Sequence, residues 1–248
     1  MSDFHEWQDL SLHFKLCYDL GYRYLDRCGE LMLKLEQEHG FVPSEASPSG
    51  AKMELPEDRI AVELDASELR IRQENPGSGD TAIMTCARLL SSMILEHFDP
   101  ALPTSSGFAS KAYRLCEGEI NANQATIKSD GELHMSLAQE LDVQARSQEL
   151  HHVFESGSYQ LLFSLKPVSI NTPQRQAFPL GFNPSSRKKD IIDRRNKALN
   201  SFPPPFSGYA LLLDVDLVEQ SPSGLDFEEH FGLMKSYQSL LLNRYAAK

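Results

Sequence analysis

A run of about 18 apolar residues, the least that reads as a membrane-spanning helix, is missing from this chain. No bilayer span is expected. The four cysteines, Cys17, Cys28, Cys86 and Cys116, form no C-x-x-C pair, which removes the usual zinc and redox motifs. Their expected state is reduced and buried. Basic charge is scarce, with 24 Lys and Arg against 35 Asp and Glu and a formal net charge of −11. So acidic a surface repels a nucleic-acid backbone over most of its area. The N-terminus, MSDFHEWQDL, lacks a basic segment followed by an apolar one, so no signal peptide is expected and the cytoplasm is the default compartment. There is no Walker loop, no H-E-x-x-H and no G-x-S-x-G. No cofactor is expected.

What is present is ordinary globular sequence, 248 residues that are 41% hydrophobic. Residues 7–38 carry Leu10, Phe14, Cys17, Gly21, Tyr24, Cys28, Leu31 and Leu35 at alternating spacings of three and four. That spacing predicts helix, divided at Gly21, with Gly40 as its stop. Residues 41–56 hold three prolines and read as loop. Ile60, Val62 and Leu64, then Leu69 and Ile71, alternate about Asp65-Ala66-Ser67 and predict a hairpin whose outer face carries Glu63, Arg70 and Arg72. A helix is predicted to Phe98, where Asp99-Pro100 ends it.

Residues 100–112 read as loop, and 138–152 fit strand or helix equally. Asp130-Gly131 and Ser156-Gly157-Ser158 signal two further hairpins. A polar helix is predicted at about 186–200, then a strand through GYALLLDVDLVEQ, then a helix capped by Asp226. Clustered strands predict an α+β fold, with antiparallel sheet and hairpins packed against three to five helices. The pattern suits two similar halves, 1–100 and 101–248, or one compact domain.

Asp214 and Asp216 stand two apart in the last strand, so both carboxylates share one sheet face, about 7 Å apart. With a third carboxylate such a pair could hold a divalent cation for phosphoryl transfer or nuclease chemistry. Glu219 points to the other face. Solvated strand carboxylates are the commoner case.

The segment SSRKKDIIDRRNKALN gathers six cations, Arg187, Lys188, Lys189, Arg194, Arg195 and Lys197, against Asp190 and Asp193. It reads as a solvated helix docked by Ile191, Ile192 and Leu199, or as a contact for an anionic partner, protein or nucleic acid. Aromatics for base stacking are missing from it.

The stretches LLLDVDLVEQ and LDFEEHFGLMKSYQSLLLNRY resemble the C-terminal third of a sporadically distributed bacterial family of about this length. That family has no assigned biochemistry, so the resemblance implies no catalytic residue. The expected function is a non-enzymatic interaction subunit: an adaptor, inhibitor or chaperone-like protein, with bacterial defence or toxin neutralisation as its setting. Its expected partner is another protein. A metal-dependent enzyme using Asp214 and Asp216, and a nucleic-acid binder using the basic helix, are the alternatives.

Overall fold

The computed structural model describes residues 6–47, 50–76, 81–100, 103–119, 121–122, 149–171, 207–222 and 224–246. Among these residues nine strands form one antiparallel sheet: β1 (Gln8–Cys17), β2 (Val42–Ser47), β3 (Gly50–Leu55), β4 (Ile60–Leu64), β5 (Glu68–Glu74), β6 (Ser105–Cys116), β7 (Leu150–Ser156), β8 (Tyr159–Asn171) and β9 (Ser207–Gln220). Three α-helices are described: α1 (Arg23–His39), α2 (Thr81–Phe98) and α3 (Phe227–Ala246). No described helix is long and apolar enough to cross a membrane.

This overturns the expected α+β fold, although hairpins form within the sheet. The described chain is dominated by a single large sheet, in the order β2-β3-β4-β5-β1-β6-β9-β8-β7. Strands from residues 1–100 and from 101–248 lie side by side in it, joined through β1 and β6. Outward from that central pair the two flanks run alike. β5, β4, β3 and β2 descend on one side; β9, β8 and β7 descend on the other.

Three local expectations fail for one reason. Residues 8–17 are strand, not helix. Leu12, Phe14 and Leu16 alternate with Ser11, His13 and Lys15, a period of two that the three-and-four stripe conceals. Residues 42–47 and 50–55 pair as antiparallel strands despite Pro43, because β2 is the edge strand of the described sheet, where a missing N–H is tolerated. Residues 105–116 are a central strand despite small side chains, because β1 and β9 pair with it from both sides. In each case long-range pairing outweighs local preference.

Other elements form as their sequences dictate. The β4–β5 hairpin turns at Asp65-Ala66-Ser67, and Glu63 meets Arg70 across it at 3.7 Å. Gly40 takes φ +71 at the end of α1, the left-handed conformation a helix stop requires. Asp226 caps α3 by accepting from the Glu229 N–H at 2.9 Å. The Asp130-Gly131 hairpin and the 186–200 helix lie outside the described residues.

Asp65 fixes the first of these turns. Its Oδ1 accepts from the Ser67 N–H at 2.7 Å, the Ser67 hydroxyl at 2.8 Å and the Glu68 N–H at 2.9 Å. Burial alone would raise its carboxyl, but these hydrogen bonds and Arg70 outweigh burial and hold it below the usual carboxylate range. Replacing Asp65 by Ala should cost about 1 kcal/mol in urea unfolding, as for a lost cap. An unchanged midpoint would mean that the turn forms without it.

All three helices pack on one face. Leu12, Phe14, Leu16, Val62, Ile71 and Phe108 meet Tyr24, Leu31, Leu35, Leu90, Ile94 and Met234 in one cluster. A second cluster joins Leu165, Leu213 and Val215 to Leu241 and Tyr245 of α3. α2 lies over β1 and β5, and α3 over β6 and β9. No described helix packs on the opposite face, whose side chains are largely charged, the usual state of a one-sided antiparallel sheet.

Candidate functional site

Asp214 and Asp216 project from β9 onto that helix-free face, as their spacing requires. Lys111 is the register partner of Asp214, and its Nζ lies 2.9 Å from Asp214 Oδ2. Ala109 is the partner of Asp216. With Gly107 and Ala61, Ala109 forms a low floor among long side chains, and a concavity of about 470 Å³ results. Its walls include His13, Lys15, Glu63, Arg70 and Arg72. Gly107 is small for a further reason: a Cβ there would stand 2.9 Å from the Leu217 carbonyl oxygen.

Electrostatics separates the two aspartates. Asp214 is paired with Lys111, whereas Asp216 has no hydrogen-bond or ion-pair partner among the described residues. Burial, helped by the Asp214 charge and opposed by Lys15 and Lys111, pushes the Asp216 carboxyl up to about 6. His13 moves the other way. Burial, then Arg72 and Lys111, depress its imidazole to about 4 against the pull of Asp214. It is therefore neutral at pH 7 and shares a 2.8 Å hydrogen bond with the Ser11 hydroxyl.

Chemically this is a face of matched charges. Glu45, Lys52, Glu63, Arg70, Glu68 and Lys15 alternate in sign across five strands as a chain of ion pairs. No group of three or more His, Cys, Asp or Glu able to hold a metal occurs among the described residues. The Lys111 ammonium occupies the Asp214 oxygen that a cation would compete for. Arg187, Lys188, Lys189, Arg194, Arg195 and Lys197 lie outside the described residues.

A second site, which the sequence patterns did not disclose, lies at the edge of the sheet. β7 is its last described strand, paired with β8 on one side. Phe154 is 53% exposed and Val153, on the opposite face, 57%. Between β7, β8 and α3 runs a groove of about 540 Å³ lined by Phe154, Leu161, Phe163, Tyr237, Leu241 and Tyr245. Leu240 of α3, 62% exposed, adds apolar surface to its wall. On the floor, His152, Phe154 and Phe163 stack with centroids 4.9–6.1 Å apart.

The two edges of the sheet differ. β2 carries Pro43, a bulge between Pro43 and Glu45, and the exposed Glu45, all features that block further strand pairing. β7, sequence LHHVFES, has neither proline nor lysine. Two signals for this site exist in the sequence: the adjacent apolar pair Val153-Phe154, which a strand sends to opposite faces, and Leu240, a leucine off the buried stripe of α3. The first is obscured because residues 138–152 fit strand and helix equally.

No protein-family model matches this chain, and no curated protein is significantly similar to it, so its functional reading rests on the geometry of these two sites.

Proposed function

We propose that the protein is a non-enzymatic interaction subunit that takes up another polypeptide chain at the β7 edge and the adjoining groove. The supporting observation is the cluster of exposed Phe154 and Leu240 beside the last described strand, which lacks the proline and the bulge of β2. An extended segment would add a further strand beside β7 through backbone hydrogen bonds. Every second side chain would enter the groove, which supplies selectivity. The matched charges of the central concavity, with Lys111 on Asp214, suit a solvated face better than a reaction centre.

Cross-linking of the native chain in extract of its host tests the reading. A captured partner should cross-link to β7 or α3, and Phe154→Asp should reduce its recovery at least about tenfold, the usual weight of a central aromatic anchor. Equal recovery by native and Phe154→Asp chains would refute this surface as the docking site.

A further inference from the structure

We propose that the chain received at this edge is a second copy of the same protein, with the two β7 strands paired antiparallel about Val153. This pairing rests on the interaction reading above and names its partner.

Parity limits the possible registers. Even-numbered residues of β7 face the helices, since Leu150, His152 and Phe154 oppose Leu165, Phe163 and Leu161. A continuous sheet with both helix layers on one side needs an even residue opposite an even residue. A two-fold axis must therefore pass through a residue, not between two. The strand is Leu150–Ser156. Its middle residue is Val153, so the register centred there alone pairs its full length.

The side chains favour the same register. About Val153, His151, whose Nε2 lies 3.0 Å from Glu149 in its own chain, falls opposite Glu155 of the partner subunit, a second carboxylate acceptor for the imidazole, and symmetry provides that pair twice. His152 falls opposite the partner's Phe154, which extends the His152–Phe154–Phe163 stack across the axis. Val153 meets the partner's Val153, a β-branched contact suited to a strand. Centring on His152 instead sets Glu149 opposite Glu155, a like-charge pair. Centring on Phe154 sets Val153 opposite Glu155. Of these three registers, only the one about Val153 pairs the whole strand with neither an acid–acid nor an acid–valine contact. It also joins the apolar floors of the two grooves, each of which has α3 as one wall.

Sedimentation equilibrium of the full chain at micromolar concentration tests this. The native protein should be a dimer. His151→Glu places two like-charge pairs in the interface and should raise Kd about tenfold. The reversed pair, His151→Glu with Glu155→Lys, should restore dimerisation. Val153→Pro should leave a monomer. The charge changes fall on exposed side chains, so the outcome does not depend on the proline variant folding. A native monomer whose cross-link to a different protein still depends on Phe154 would overturn self-pairing and leave the interaction reading intact. A dimer indifferent to His151→Glu, or one not rescued by the reversed pair, would also overturn it.

Discussion

Phe108→Ala should lower the unfolding free energy by about 3–5 kcal/mol, the range for a fully buried Phe reduced to Ala. Phe108 is fully buried in the central strand β6. It stands in register with Phe14 of β1, ring centroids 4.8 Å apart, and meets Phe231 of α3 at 5.2 Å. The site cannot collapse to fill the void, because β6 is paired along its length with both β1 and β9. The upper half of the range is therefore expected. Urea unfolding measures it, and a loss below about 1 kcal/mol would show that the β1–β6 joint is not the centre of the core. The same residue couples the two flanks of the sheet, so the variant should also broaden the transition if the flanks then melt separately.

Asp216→Asn should stabilise the protein at pH 7.5 and change little near pH 4. In the unfolded chain an aspartate titrates near 3.9. In the fold Asp216 titrates at about 6. A carboxyl whose folded value is raised holds its proton more tightly in the native state. Stability therefore falls as pH rises from about 4 to 6, and the penalty is complete above 6. Allowing for solvent in the open concavity, it comes to about 1–2 kcal/mol. Asn carries no charge, so it removes the penalty. His13 imposes an opposite dependence: its folded value of about 4 lies below that of a free imidazole, so native stability falls as pH drops below about 6.5. The difference between native protein and Asp216→Asn cancels that contribution. Urea titrations at both pH values check this directly: a gain of equal size at pH 4 and 7.5 would show that Asp216 is not the strained carboxylate.

Both results concern a chain with matched charges on one sheet face and, among the described residues, an apolar groove beside its last strand. The concavity that holds Asp216 is built from side chains contributed by β1, β4, β5, β6 and β9. Its location at the centre of the sheet follows from the meeting of β1 and β6, which neither strand announces locally.

The sequence by itself determined the elements whose signals are local. Period-two alternation and an Asx turn specify the β4–β5 hairpin. Asp226 with its hydrogen bond to the Glu229 N–H starts α3. Spacing alone places Asp214 and Asp216 on one face, because strand side chains alternate whatever the surroundings. Tertiary structure decided the rest. Residues 8–17 satisfy a helical stripe and a strand alternation together, and only pairing with β5 and β6 selects the strand. Ser105–Cys116 has little strand propensity of its own and is a strand because β1 and β9 bind both its edges. The Lys111–Asp214 pair joins residues about a hundred positions apart and exists only through the β6–β9 register. Which described strands end the sheet follows from strand order, a property of long-range hydrogen bonding that no local window of sequence contains.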